Sequence, residues 1–190
     1  MREIQKLNDE QLIEYVRTCD REQYREIITR YQERLLRYAS YLTNDAEAAQ
    51  DVVQQAFIKA FINLHGFNIK KKFSSWIYRI VHNEAINYLK SKKKEVLLNS
   101  VMRENITDSS SNSFEEILEQ KERWELLSSC LQALSISYCA PLTLFYFEGK
   151  SYDEISDILR IPVGTVGTRI NRGKKYLKEL FLSKGGKHYE

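Results

Sequence analysis

The sequence predicts an all-α protein: two small helical domains, the second containing a helix-turn-helix, joined by a flexible linker. Apolar residues recur every three or four positions through most of the 190-residue chain, and a period of two is nowhere sustained. Only 2 Pro and 7 Gly are present, few for a turn-dense β fold. A stretch rich in Ser and Asn at 99–113 interrupts the apolar pattern. We therefore expect domains at 1–94 and 115–185, with a linker over 95–114.

The composition excludes several protein classes. Hydrophobic residues make up 43% and charged residues 29%, which is ordinary for a folded globular chain. No stretch approaches the ~18 apolar residues of a membrane span, and the N-terminus is charged where a signal peptide is apolar. A cytoplasmic protein without membrane contact is expected. The three cysteines form no CxxC pair and are interpreted as buried or incidental thiols.

Three helices are predicted in the first domain, at 22–43, 45–64 and 73–89. Each carries apolar residues on one stripe, as in Ala49, Val52, Val53, Ala56, Phe57 and Ala60 of the second helix. Asn44, with Glu47 three residues later, suits the start of that helix. In the third helix Trp76 lies on the apolar stripe and is expected in the core.

The second domain begins with predicted helices at 115–133 and 138–147. Pro141 would strain a helix interior, so the latter helix is expected to start late or to kink there. The segment 151–175 then fits a helix-turn-helix. Ser151 and Glu154 form an S-x-x-E capping box, and Pro162 can open the next helix.

The second helix of this motif is basic on its outer side. Val166 and Ile170 can pack inward, which leaves polar side chains free to enter a DNA major groove. The alternative to a DNA-binding motif is a generic αα-hairpin with a basic exposed face. Arginine can pair with a guanine edge and lysine mostly holds phosphate, but the sequence does not say which arginine reads a base. The candidate DNA-binding residues are Thr165, Thr168, Arg169, Arg172, Lys174 and Lys175.

The net charge of +3 conceals a strongly basic block over 67–94, with eight basic residues and one acidic residue. At its start, lysines alternate with aromatic residues, a combination that suits single-stranded nucleic acid because positive charge follows the backbone and rings stack on bases. The lysines could instead be merely solvated. We favour Lys70, Lys71 and Lys72, together with Asn83, as nucleic-acid contacts, because a second DNA-binding element lies downstream.

Over about residues 10–182 the chain resembles the extracytoplasmic-function, or group 4, sigma factors of bacterial RNA polymerase. Three stretches carry the resemblance. Residues 45–57 look like the core-polymerase-binding helix of the family's sigma-2 domain, and 73–89 look like its promoter-melting and −10-reading stretch. Residues 147–169 look like the −35-reading sigma-4 domain.

The resemblance implies a role in transcription initiation. Asp51, Gln54 and Gln55 would contact the clamp helices of core RNA polymerase, and the sigma-4 domain would bind the −35 duplex and touch the flap. The opened −10 strand would be held by Lys70, Lys71, Lys72, Arg79, Asn83 and Asn87. The linker would thread toward the RNA exit channel. Promoter DNA and an anti-sigma factor are the other expected partners, and no cofactor, metal or catalysis is expected.

Some positions depart from the family pattern. Gln50 and Gln55 stand where Glu is frequent, and Asn87 stands where Asp is frequent. Gly167 replaces a usual Lys or Arg of the recognition helix, which removes one DNA contact and weakens the helix. Ser135 replaces a usual Pro. Residues 184–190 are interpreted as a frayed tail.

Two other functional classes fit the sequence less well. A stand-alone helix-turn-helix regulator would dimerise on a symmetric site, and would have no use for the 45–64 and 67–89 segments. An enzyme is disfavoured, because His65, His82 and His188 lack metal-like spacing and no GxSxG, P-loop or GxGxxG motif is present.

Overall fold

The structure, a computed structural model, describes the backbone of residues 4–98 and 115–185 and the side chains of 4–93 and 122–185. These residues form helices and connecting turns, with no strand among them, as the sequence predicts. Residues 99–114, the greater part of the linker predicted at 95–114, and residues 186–190 of the tail predicted at 184–190 lie outside the described residues. The helices are α1 (Asp9–Thr18), α2 (Tyr24–Thr43), α3 (Ala46–Ile62), α4 (Phe73–Leu98), α5 (Glu115–Ala133), α6 (Ile136–Tyr146), α7 (Tyr152–Leu159) and α8 (Val163–Ser183).

The N-terminal lobe consists of α1 to α4, with α2, α3 and α4 packed side by side. Its apolar stripes meet in a core that includes the fully buried Leu35, Tyr38, Phe73 and Tyr78. α4 continues to Leu98, four residues beyond the domain boundary predicted at 94. Arg17 ties the loop before α4 to α1, because its Nε donates to the carbonyl oxygen of Leu64 at 2.9 Å.

The junction between α2 and α3 corrects one prediction. Asp45, and not Asn44, caps α3, and its Oδ1 accepts from the backbone N–H of Ala48 at 3.1 Å. Asn44 instead ends α2 in the left-handed conformation, with φ of 51°. Both residue types cap helices well, but asparagine tolerates the left-handed region that a helix C-terminus requires, so the chain uses the two neighbours for different ends.

The C-terminal lobe consists of α5 to α8 around a core that includes Leu142, Leu144, Ile155, Val166 and Ile170. α6 begins at Ile136 and holds Pro141 inside it, so a late start of this helix at Pro141, one of the two predicted alternatives, was wrong. Proline removes only one backbone hydrogen bond there, and its ring is buried in the core. α6 and α8 cross closely at Gly173, where an added methyl carbon would lie 2.9 Å from Leu142 Cδ1.

The two lobes are in contact with each other. α2 packs on α6, and α4 packs on α7. At the first of these contacts the rings of Tyr41 and Phe147 lie 5.3 Å apart, and the Cys139 thiol donates to the carbonyl oxygen of Tyr41 at 3.5 Å. The pattern of the sequence predicts each lobe but contains no signal for this interface, because it joins residues about a hundred positions apart.

Candidate nucleic-acid and polymerase interfaces

The helix-turn-helix is formed by α7 and α8, as predicted. The hydroxyl of Ser151 accepts from the N–H of Glu154 at 3.2 Å, and the Glu154 carboxylate accepts from the N–H of Ser151 at 2.9 Å, which completes the capping box. α7 ends at Arg160, whose φ of 56° turns the chain sharply. Pro162 precedes the first residue of α8. The turn therefore presents the start of α8 at the surface.

The first half of α8 carries most of the predicted −35 contacts. Val166 and Ile170 are buried, as predicted. Thr168 and Arg172 are exposed, while Thr165 and Arg169 are half-buried on the same helix. Among the described residues, neither Arg169 nor Arg172 forms an ion pair, so both guanidinium groups are available to an anionic ligand.

The predicted lysines of α8 lie farther along. Lys174 and Lys175 are exposed, but they follow the start of the helix by about 16 Å at 1.5 Å per residue. Lys174 also lines an apolar groove of about 830 Å³ between α5, α6 and α8, together with Trp124, Leu127, Tyr146 and Phe181. The structure thus separates Lys174 from the Thr168 and Arg172 surface.

The basic loop before α4 places Lys70, Lys71 and Lys72 at the surface. Asn68 shapes this loop, since its Oδ1 accepts from the N–H of Lys70 at 2.9 Å. Lys72 is not free, because its Nζ lies 3.0 Å from Glu154 Oε1 of the other lobe. The lysine cluster is therefore partly neutralised within the molecule.

The outer face of α4 carries the other predicted −10 residues. Asn83 and Asn87 are exposed one helical turn apart. Arg79 is half-buried, and its Nη1 lies 3.2 Å from Asp157 Oδ1 of α7. Burial lowers the pKa of Arg79 from its ordinary value.

A cavity of about 420 Å³ opens beside Asn83. It is lined by Trp76, Ile80, Asn83, Gly66, Asn63 and the ion pair between Lys59 and Glu84, whose charged atoms are 2.6 Å apart. Trp76, predicted to be a core residue, packs its ring against Phe67 and Phe73 but stays partly accessible on the cavity side. The site thus combines an aromatic ring with amide groups and charges.

The candidate polymerase surface is a groove of about 650 Å³ between α2 and α3. It has an apolar floor with a polar rim, and Gln50, Asp51 and Gln54 belong to its lining together with Ile28, Leu36, Val53, Phe57 and Ile58. Gln55 is exposed on α3 but does not line the groove. The nearby Ile62 is 69% exposed, which extends the apolar surface.

Sequence reasoning missed Glu148, whose side chain is completely buried between the lobes. Its carboxylate accepts from Arg34 Nε at 3.1 Å and from Arg37 Nε at 3.0 Å. The Tyr78 hydroxyl also donates to it. A lone glutamate before a glycine carries no pattern that would reveal partners 111 and 114 residues away.

His82 is a half-buried polar residue of α4. Its Nδ1 lies 2.9 Å from the Tyr38 hydroxyl. Burial lowers its pKa from 6.5 to about 4, so the imidazole is neutral in the folded protein near pH 7. His82 therefore belongs to the packing of the N-terminal lobe.

Within the described ranges, no three His, Cys, Asp or Glu side chains cluster in a way that could hold a metal ion. No helix in that part of the chain is long and apolar enough to cross a membrane.

Comparison with known families matches both lobes. Residues 27–95 match Sigma-70 region 2, and residues 124–177 match Sigma-70, region 4. The chain is 32% identical over 174 residues to the ECF RNA polymerase sigma factor SigW of Bacillus subtilis, covering 88% of this chain and 93% of that one. It is 33% identical over 174 residues to the RNA polymerase sigma-H factor of Pseudomonas aeruginosa, covering 88% and 90%.

Solved structures share the fold. The sigma factor RpoE in complex with the anti-sigma factor NepR from Bartonella quintana gives a TM-score of 0.69 at 22% identity, over 84% of this chain and 96% of that one. CnrH in complex with the cytosolic domain of CnrY gives 0.68 at 20% identity, over 92% and 97%. None of these comparisons indicates a catalytic activity. With both family regions present in order and relatives aligned over nearly their whole length, the chain belongs to the extracytoplasmic-function sigma factors of the sigma-70 family.

Proposed function

We propose that this sigma factor directs core RNA polymerase to its promoters by holding the −10 element with α4 and the preceding loop, and the −35 element with α8. The observation that carries this assignment is the presence of two separate surfaces with exposed basic side chains on one chain, beside a groove between α2 and α3. The chain would act in the cytoplasm, where it is not an enzyme and polymerase performs all bond-making chemistry.

The −10 assignment is supported by the cavity beside Asn83. An unpaired base needs a flat apolar ring and a few polar groups at its edge, and Trp76 and Asn83 supply these on one wall. Lys70 and Lys71 stand exposed at the nearby loop, where they can follow the phosphates. New contacts with the extruded strand would offset the cost of unpairing, a few kcal/mol per base.

The −35 assignment is supported by the exposed start of α8. Arg169 and Arg172 have fork-shaped donors that match a guanine edge or a phosphate, and Thr165 and Thr168 can serve either. Gly167 adds no side chain to this surface. Its Cβ position is 3.3 Å from the Tyr152 ring, so a longer residue there would have to displace that ring. Lys174 and Lys175 would contact only the phosphate backbone of the DNA.

The polymerase assignment is supported by the groove between α2 and α3. A helical partner such as the clamp helices can cover its apolar floor while Asp51 and Gln54 provide polar contacts at the rim. Gln55 would act at the edge of this contact. The apolar groove of the C-terminal lobe would meet the polymerase flap. An anti-sigma factor would compete for these surfaces.

A stand-alone helix-turn-helix regulator is not favoured, because both family regions and full-length sigma-factor relatives match this chain. The two functions still predict different assays. A stand-alone regulator would footprint a symmetric operator without polymerase. A sigma factor would protect two unlike elements, and it would do so strongly only when bound to polymerase, which holds both lobes at high effective concentration.

The test is reconstituted transcription. We expect core polymerase with this protein to start at defined genomic sites that share a −10 and a −35 element. Core polymerase alone and core with the protein heated to unfolding are the controls. Starts at the same sites with core polymerase alone would refute the proposed function.

A further inference from the structure

The interface between the lobes is organised around Glu148. This residue follows α6 of the C-terminal lobe, and all of its side-chain partners belong to the N-terminal lobe. The carboxylate accepts hydrogen bonds from Arg34 Nε at 3.1 Å, from Arg37 Nε at 3.0 Å and from the Tyr78 hydroxyl. Its backbone carbonyl oxygen accepts from Arg34 Nη2 at 2.9 Å. Charge-assisted hydrogen bonds of this kind are about twice as strong as neutral ones.

The turn that carries Glu148 is held in position before the lobes meet. Gly149 has a φ of 62°, and the N–H of Lys150 donates to Leu144 O at 2.9 Å. The N–H of Glu148 donates to Thr143 O at 3.2 Å. Lys150 then lies over the Tyr78 ring, with its Nζ 4.7 Å from the ring centre. The turn therefore presents two charged side chains, Glu148 and Lys150, to the other lobe, and its own hydrogen bonds reduce the conformational entropy lost when they bind there.

A buried carboxylate is stable only while its cationic partners stay in place. Because those partners lie on the other lobe, the Glu148 contacts exist only when the lobes are together. When the lobes separate, the buried carboxylate regains water, and Arg34 and Arg37, whose side chains are already 44% and 38% exposed, become more hydrated. These contacts can therefore act as a latch that opens without unfolding either lobe.

In the same closed arrangement, two cations that the proposed function assigns to the −10 strand form ion pairs with acids of α7. Glu154 lies 3.0 Å from Lys72, and Asp157 lies 3.2 Å from Arg79. Both acids belong to α7, the first helix of the helix-turn-helix. They stand where phosphate oxygens would otherwise bind, so strand and α7 compete for the same two side chains.

We propose that the C-terminal lobe is an internal inhibitor of −10 binding: Glu148 latches it onto the N-terminal lobe, and Glu154 and Asp157 occupy Lys72 and Arg79 until the lobes part. The inhibitory part rests on the proposed role of Lys72 and Arg79. The latch itself does not, since it follows from the contacts of Glu148 alone.

The test compares full-length wild-type protein with Glu148→Gln, which removes the charge and keeps the shape. Asp153→Asn is the matched control, because Asp153 is an exposed acid of α7 that forms no ion pair with the described part of the other lobe. Asp157→Asn, near the interface surface, is the second variant and does not depend on how Glu148→Gln folds. Each protein is measured by small-angle X-ray scattering and by titration with a single-stranded −10 oligonucleotide.

We expect Glu148→Gln to show a larger radius of gyration than the wild type, for which a compact chain of this length predicts about 16 Å. The oligonucleotide should bind at least about fivefold more tightly, because a larger fraction of molecules is open. Asp157→Asn should shift both quantities in the same direction, and Asp153→Asn should leave the radius unchanged.

An unchanged radius in both Glu148→Gln and Asp157→Asn would overturn the latch. A larger radius without tighter strand binding would overturn the inhibitory role and would show that Lys72 and Arg79 do not hold the strand. That second result differs from a failure of the proposed function as a whole, since transcription by reconstituted polymerase would still be observed.

Discussion

Two glycines in α8 have contrasting surroundings. Gly173 is buried where α8 crosses α6, and an added methyl carbon would lie 2.9 Å from Leu142 Cδ1 and 3.3 Å from Tyr138 Cβ. Gly164 is exposed, with no atom within 4 Å of the equivalent position. Both are ordinary helical residues. Packing therefore requires glycine at position 173, whereas position 164 has room for a side chain.

We expect Gly173→Ala to lower the free energy of unfolding by about 1–2 kcal/mol, because overpacking outweighs the gain in helix propensity. Gly164→Ala is the matched control and should raise it by up to about 1 kcal/mol. Urea denaturation followed by circular dichroism measures both. Equal stabilisation by the two substitutions would show that α6 and α8 do not approach this closely.

His82 gives a residue-scale prediction for pH. Its pKa is about 4 in the folded protein and about 6.5 when unfolded, so between these values the unfolded chain binds a proton that the folded chain does not. The contribution of neutral His82 to the free energy of unfolding is therefore complete above pH 6.5, and it falls as the pH drops toward 4. From pH 7 to pH 5 the loss is about 2 kcal/mol.

The measurement is urea denaturation at pH 7 and pH 5 for the wild type, His82→Asn and His65→Asn. His65 is exposed, so its substitution should leave the pH dependence as in the wild type. His82→Asn should reduce the loss of unfolding free energy between pH 7 and pH 5. A wild-type slope retained in His82→Asn would mean that other groups cause the loss of stability at low pH.

At the scale of elements, the proposed function assigns α4 and α8 to different steps of initiation. We expect Arg169→Ala to weaken binding of holoenzyme to −35 duplex by about 1–3 kcal/mol. Asn83→Ala should leave that binding intact and slow promoter opening, because Asn83 lines the cavity of α4 and not the recognition helix. Gel shift on duplex and 2-aminopurine fluorescence at −10 separate the steps. Equal loss of duplex binding in both variants would contradict the division.

The α3 helix provides a matched pair of acids. Asp51 lines the groove between α2 and α3, whereas Glu47, one turn earlier and also exposed, does not. We expect Asp51→Arg to weaken binding to core polymerase at least about tenfold, since a misplaced charge at a buried interface costs several kcal/mol. Glu47→Arg should change it little. Similar affinities of the two variants in a core-binding titration would place the polymerase contact elsewhere.

At the scale of the whole molecule, the sequence predicts local structure well and long-range contacts poorly. The capping box of Ser151 and the buried Val166 and Ile170 follow from spacing alone, so the helix-turn-helix could be predicted. The α3 cap was misplaced by one residue, because Asn44 and Asp45 both suit it. Glu148 and the pairing of Lys72 and Arg79 with α7 could not be predicted, because they depend on how the lobes are placed.

Because the three cysteines differ in burial, thiol labelling can detect separation of the two lobes. Cys19 is exposed, Cys130 lies in the core of the C-terminal lobe, and Cys139 is covered by α2 of the other lobe. Burial raises the pKa of Cys139 to about 11, so little thiolate is present. A maleimide dye should therefore label Cys19 first. When the lobes separate, labelling of Cys139 should become faster while labelling of Cys130 stays slow. Mass spectrometry of timed samples measures both rates. Equal rates at these two buried thiols would mean that the C-terminal lobe itself unfolds.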